Sequence, residues 1–411
     1  MGKIEKEGLA GDRAYERAQH LKRLWTLGLL MALVVAAGRH FVGLAAAPEF
    51  QIHSDDLMWM YRYQNLPRAA LRTTNTDYVH FEYLPGHEAP ADDLAYIHGL
   101  DQPAFTRYVF HYLLSWAGKL PAGELADWDY AHDFQWNVEK GNVAPREAVR
   151  VVRVVNAALM IGAAALVFIA VARAVTPAAG FVAGLYLVLH SATVDVMWSI
   201  GSDPLLWFCM AGALLLWVGL GASLWGAILL GVAGGLAAGA KINGAIVVIG
   251  YAVWVLAKRR PKWALLSLGA GLLTFVLVNP ICFARGVLGV PRMLWELVAW
   301  RSVRAEMTAR HFPAYAGQAR WRLFFYLLGS WWVLLPLVLV SRRFRRLEPA
   351  VWWAMALTVG HALTVMAPLP RYLYPLQAGL VIGAITAYWP MRLGIGRRWL
   401  RGVRERLSGG G

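Results

Sequence analysis

Two adjacent carboxylates, Asp55 and Asp56, follow the first hydrophobic stretch of the chain within the sequence His53-Ser54-Asp55-Asp56. A carboxylate at the edge of a membrane can accept a proton from an attacking hydroxyl, because low dielectric and a second negative charge beside it raise its pKa toward the range that a general base needs. We therefore predict that Asp55 is a catalytic base and that Asp56 tunes or orients it. The alternative interpretation is a solvated pair at the end of a helix.

Composition indicates the environment of such a base. The chain has 411 residues, of which 58% are hydrophobic and 16% are charged, and it contains 20 tryptophans, as is typical of a multi-pass membrane protein. The net charge of +15 does not indicate a nucleic-acid partner, because the basic residues form short clusters between apolar stretches, as the positive-inside rule describes. Cys209 and Cys282 show neither metal-ligand spacing nor a disulfide framework.

Apolar windows of about 17 to 25 residues predict ten transmembrane helices. They cover residues 24–46, 151–172, 178–196, 204–220, 224–240, 243–257, 263–280, 322–340, 350–367 and 372–390. Basic clusters, including those at 258–260 and 342–346, fall on one side if these helices alternate, so both termini are predicted to be cytoplasmic. We expect an all-α polytopic protein of a bacterial or archaeal plasma membrane with its site on the outer face.

The predicted helices divide the chain into membrane and outer parts. The parts are a cytoplasmic N-terminal segment (1–23), the first helix (24–46), an outer catalytic loop (47–150), helices two to seven (151–280), a second outer loop (281–321), helices eight to ten (322–390) and a basic cytoplasmic tail (391–411). The first outer loop holds 15 of the 25 acidic residues. Within it, residues 103–120 are apolar and aromatic but include Arg107 and His111, which favours an interfacial helix over a span.

Short polar motifs follow the acidic pair along the chain, all predicted to lie on the outer side. They are Asp101-Gln102-Pro103, Arg153 with Asn156, Asp203-Pro204, Lys241-Ile242-Asn243-Gly244, Asn279-Pro280 and Arg371-Tyr372. In residue type and order they resemble the motifs of GT-C class membrane glycosyltransferases, in particular the branch of protein O-mannosyltransferases and lipid A aminoarabinose transferases. The resemblance covers most of the chain and implies a GT-C-like fold, although the family's pattern has no counterpart of residues 124–150.

The resemblance implies inverting transfer of a sugar from a polyprenyl-phosphate donor to an acceptor hydroxyl at the outer face of the membrane. The acceptor class stays open among protein, lipid and glycan. Lys241 would bind the donor phosphate, with Arg371 or Arg310 as a second cation. The further candidate site residues are Asp101, Arg153, Asn156, Asp203, Asn243, His311 and Tyr372. No cofactor is required on these grounds. A divalent metal is left open, although the histidines do not show metal-ligand spacing.

Several of these candidate site residues also have a purely structural interpretation. Lys241 could be an interfacial anchor, Asp203 could be a helix N-cap before a proline, and His311 could be a solvated loop residue. Two other classes of protein also fit a polytopic chain, a transporter or flippase of lipid-linked sugars and a non-catalytic protein with a GT-C fold. A transporter is disfavoured because no half-repeat is visible and the intramembrane charge gathers at the outer side.

Overall fold

The computed structural model describes residues 2–46, 105–119, 132, 134–198, 200–279, 291, 333–346, 348–364 and 370–389. Across these ranges the chain is helical and contains no strand, which confirms the predicted all-α class. Among the described residues, the helices that are long and apolar enough to cross a membrane are Gln19–Ala46, Arg146–Ala174, Asp203–Leu220 and Pro261–Val278, and three shorter apolar helices accompany them. The protein is therefore a candidate membrane protein, and the count of ten spans stays a prediction.

Between residues 134 and 279 the helices follow one another with short connections. In chain order the described helices are α1 (Gly2–Ala46), α2 (Phe105–Trp116), α3 (Phe134–Glu139), α4 (Arg146–Ala174), α5 (Pro177–Leu189), α6 (Ala192–Trp198), α7 (Asp203–Leu220), α8 (Leu224–Ala240), α9 (Ile246–Ala257), α10 (Pro261–Val278), α11 (Leu334–Val340), α12 (Arg342–Arg345), α13 (Pro349–Thr364) and α14 (Pro370–Tyr388). A 3-10 turn, Ile242–Ala245, separates α8 from α9. Every predicted span overlaps one of these helices.

Hydrogen bonds between connections define two ends of the helix bundle. At the first, which we call the basic end, a guanidinium nitrogen of Arg260 donates to the carbonyl oxygen of Ala222 at 3.4 Å, joining the α9–α10 and α7–α8 connections. At the second, which we call the Lys241 end, the Thr106 hydroxyl on α2 donates to the carbonyl oxygen of Ala240 at 3.4 Å. The basic cluster at 258–260 thus lies at one end of the bundle, and the motif residues of α7 and α8 lie at the other.

One predicted span is wrong in its continuity. The span at 178–196 is interrupted at His190, whose backbone is extended, so α5 ends at Leu189 and α6 begins at Ala192. The ring nitrogen Nδ1 of His190 accepts from the backbone N–H of Ala192 at 3.1 Å, and the Thr193 hydroxyl donates to the His190 carbonyl oxygen at 2.6 Å. These contacts satisfy backbone groups that a continuous helix would have paired internally.

Helix α2 matches the helix predicted within 103–120. Phe110 and Leu114 are buried against Val149 and Val152 of α4 and against Ile200. The opposite side carries Trp116, which is 89% exposed. Helix α2 is therefore attached to the Lys241 end of the bundle by one apolar face, and α4 begins at Arg146, earlier than the predicted 151.

Candidate functional site

The centre of the candidate site is an ion pair between Lys241 and Asp203. The ammonium nitrogen of Lys241 lies 2.7 Å from Oδ1 of Asp203, and the two side chains are only 18% and 10% exposed. Helices α7 and α8 form a hairpin whose connection at 221–223 lies at the basic end, so the first residue of α7 and the residue after α8 meet at the other end. Two motifs that are separate in the sequence therefore form one contact.

The backbone around Lys241 is held by a tight turn. Lys241 is extended and ends α8, and its carbonyl oxygen accepts from the N–H of Gly244 at 2.7 Å. A side chain at position 244 could not fit, because a Cβ there would lie 2.3 Å from the carbonyl oxygen of Ala237. The glycine lets the 3-10 turn lie against α8, and the half-buried Asn243 belongs to the same turn.

Asp203 does not act as the N-cap that its position before Pro204 suggested. Ser202 occupies the N-cap position, without a side-chain capping bond, and Asp203 is the first residue of α7. A carboxylate in the first turn is stabilised by the partial positive charge of the helix N-terminus. Asp203 is therefore an anion held by α7 and directed to Lys241 rather than to its own backbone.

Arg153 and Asn156 of α4 lie at about the same level of the bundle as the ion pair. Gly162 of α4 lies against Phe208 of α7, and Arg173 of α4 lies near Gly219 of α7. Both pairs are 46 positions apart in the sequence, so the two helices run parallel and residues 46 positions apart face each other. Asp203 is consequently level with Ala157. Arg153 is 6% exposed and Asn156 is fully buried. Because both are close to Ala157 in α4, a buried guanidinium and a buried amide lie near the level of the ion pair.

The Asn156 side chain has an unusual environment. Neither its amide nitrogen nor its amide oxygen has a hydrogen-bond partner among the described residues. A buried amide without partners costs on the order of 1–3 kcal/mol, and more at membrane depth, where water cannot replace them. Asn156 lies on the same face of α4 as Val149 and Val152, which pack against Ile200. Ile200 is only three residues before Asp203 in the sequence. A donor and an acceptor are therefore available to a ligand at this level.

His361, on α13, is a member of the site that the sequence interpretation missed. Its side chain is 1% exposed, it interacts electrostatically with Lys241 and Asp203, and Nδ1 donates to the carbonyl oxygen of Leu357 at 3.1 Å. The neighbouring Gly360 packs against Ile246, five residues after Lys241. The available signal was a lone histidine in an apolar helix, since ionisable residues in spans usually face an interior site.

A further charged residue lies where α2 covers this end of the bundle. Arg107 is 5% exposed and follows Thr106, whose hydroxyl contacts the last carbonyl of α8. Arg107, Arg153, Lys241 and Asp203 together form a group of buried charges at one end of an apolar bundle. Such charges are costly in a membrane protein and mark ion, proton or substrate sites far more often than structural ones.

Several predicted site residues lie outside the described part of the structure. These are Asp55, Asp56, Asp101, Arg310 and His311. Arg371 and Tyr372 belong to the first turn of α14, but their side chains are outside the described set. Among the described residues, no three His, Cys, Asp or Glu side chains form a group that could hold a metal ion. Of the predicted site residues, the structure therefore pairs Lys241 with Asp203 and places Arg153 and Asn156 on α4 at a similar level of the bundle.

No protein-family model matches the sequence, and no curated protein matches it. The site and its chemistry are the basis for a functional assignment.

Proposed function

We propose that the protein is an inverting glycosyltransferase of the membrane, with a GT-C-like fold of about ten spans, that moves a sugar from a polyprenyl-phosphate donor to an acceptor hydroxyl. The observation that carries the proposal is the buried ion pair between Lys241 and Asp203 at one end of the bundle. The amphipathic helix α2 over that end and the motif order in the sequence support it. The site would lie at the outer face of a bacterial or archaeal plasma membrane.

Lys241 supplies the cation that the donor phosphate needs. As the bond between the sugar and the phosphate breaks, negative charge grows on the phosphate, so an ammonium beside it stabilises the transition state more than the bound donor. Asp203 orients the ammonium when no donor is bound. Arg371 and Arg310 are the candidates for a second phosphate contact.

The reaction is a single displacement. The acceptor oxygen forms a bond to the anomeric carbon while the bond from that carbon to the phosphate oxygen breaks, and the polyprenyl phosphate leaves with the electron pair. The acceptor proton passes to Asp55, which Asp56 orients, and the phosphate leaves without needing a general acid. Asp101, Asn243, His311 and Tyr372 stay candidates for contacts with the donor or acceptor.

The experiment uses the purified full-length chain in detergent with a panel of polyprenyl-phosphate sugars, and it measures release of polyprenyl phosphate. The proposal predicts release with at least one donor and loss of about 10² to 10⁴ in turnover for Asp55→Asn, which keeps the shape of the side chain but cannot accept a proton. Transport of intact lipid-linked sugar in proteoliposomes, without release, would favour a flippase. Donor binding without release or transport would favour a non-catalytic protein.

A further inference from the structure

A cavity of about 200 Å³ lies at the basic end of the bundle, far from the Lys241 end. The end of α4, the start of α13 and side chains of α12 and α14 line it. Its polar lining residues are Arg173, Arg343, Glu348 and Thr386, and the other walls include Val175, Val218 and Val351. The cavity therefore has cationic groups beside an apolar wall.

Arg343 is fixed in this cavity by two contacts. Nη1 donates to the carbonyl oxygen of Thr386 at 2.6 Å, and Nε lies 3.5 Å from the carboxylate of Glu348. A guanidinium carries five N–H donors in a planar fork, so these contacts orient the group without using all of its donors. Arg343 is thus preorganised to bind an oxyanion.

Arg173 is the second cation and is available. It lies in the last turn of α4, and it forms no hydrogen bond or ion pair with any described residue. Its guanidinium lies beside Gly219 of α7, where an added Cβ would be 3.8 Å from Nη1, an ordinary van der Waals contact. The position favours an anion that approaches from the side of α7.

The charges in the cavity select the kind of anion. Two guanidiniums and one carboxylate leave one positive charge, which suits a phosphodiester with a single negative charge better than inorganic phosphate, whose charge approaches −2 near pH 7. The apolar wall suits the first carbons of acyl chains. Arg342, Arg345 and Arg346 lie beside the cavity on or after α12, so this end has the basic character typical of the headgroup layer of a cytoplasmic leaflet.

We propose that this cavity binds the phosphodiester of an anionic phospholipid, phosphatidylglycerol in class, with Arg173 and Arg343 as phosphate ligands. The site is independent of sugar transfer at the other end of the bundle. Bound lipid would join α4 to α12 and α13, whose contact at this end is otherwise interrupted by the cavity. The lipid would therefore stabilise the folded bundle.

The test is native mass spectrometry of the delipidated full-length protein, titrated separately with phosphatidylglycerol, phosphatidylcholine and inorganic phosphate. We expect one phosphatidylglycerol to bind in preference to the other two. Arg173→Gln should weaken that binding about ten-fold or more, as loss of a charge-assisted contact predicts, and Arg173→Lys should restore part of it.

Arg346→Gln is the matched control, because it removes the same charge from the same end outside the cavity. Equal losses for Arg173→Gln and Arg346→Gln would overturn the proposal in favour of general attraction between a basic surface and lipid. Inorganic phosphate binding as well as phosphatidylglycerol would overturn the lipid assignment. Thermal unfolding without lipid checks that each variant is folded, and a variant that melts well below the wild type is replaced by Gly219→Leu, which keeps both charges and obstructs Arg173.

Discussion

The ammonium of Lys241 and the carboxylate of Asp203 meet at 2.7 Å, although 38 residues separate them in the sequence. The α7–α8 hairpin is closed at its other end by the connection at 221–223, where Gly221 has a φ of 57° and Ser223 caps α8. The ion pair therefore joins the two free ends of one hairpin. Because both partners are largely buried, each depends on the other for its charge to be tolerated.

Asp203→Asn should destabilise the protein. The substitution keeps the size of the side chain but removes the negative charge that faces Lys241, and breaking a buried pair costs about 3–5 kcal/mol when burial is complete. With 10–18% exposure the cost should be nearer about 2 kcal/mol. Thermal unfolding in detergent measures it.

The double variant Asp203→Asn with Lys241→Met provides the control for this prediction. It removes both charges, so it should be more stable than Asp203→Asn alone. Additive losses in the double variant would mean that the two side chains act independently, and the pair would then have no energetic role.

The sequence predicted the helices better than it predicted their contacts. Apolar runs such as 204–220 and 224–240 coincide with α7 and α8, since burial and membrane compatibility are local properties of a run. The approach of Asp203 to Lys241 depends on how the hairpin closes, which composition does not encode. His361 was missed for a related reason, because a single polar residue in an apolar run has no partner until α13 packs beside the 3-10 turn.

The break at His190 is a second feature that local sequence patterns did not predict. The run at 178–196 is apolar on average, so hydropathy predicts one helix. Its polar residues, His190, Ser191, Thr193 and Asp195, all lie near its end. The interruption depends on the ring of His190, which accepts from Ala192 and lies 2.9 Å from Gln377 of α14. The second of these contacts is tertiary and separated by 187 residues, so no local pattern contains it.

Lys241→Met should lower turnover as well as donor affinity. If the ammonium holds the donor phosphate, each lost charge-assisted contact costs roughly 1.5 to 3 kcal/mol, and the cost should be larger in the transition state than in the bound donor. Lys241→Arg should restore part of the rate, although its planar fork does not match a site built for a point charge. Steady-state kinetics of polyprenyl phosphate release measures both effects.

Lys262→Met is the matched control for Lys241, since it makes the same change at an exposed position on α10 at the basic end. It should leave kcat and KM at wild-type values. If Lys241→Met also leaves them unchanged and alters only the melting temperature, Lys241 is an interfacial anchor and the phosphate assignment is wrong.

Asn156→Leu should separate a ligand contact from a structural one, because it should move stability and activity in opposite directions. The Asn156 amide is buried and has no hydrogen-bond partner among the described residues, so an apolar side chain of similar volume should leave the free energy of unfolding unchanged or raise it by about 1 kcal/mol. A sugar hydroxyl both donates and accepts, as the amide does, so the same variant should raise the KM for the donor several-fold. Melting temperature and donor kinetics are measured on the same preparation. A variant that loses stability while retaining the wild-type KM would mean that Asn156 supports the fold, and the donor contact would have to be sought on another residue at the Lys241 end.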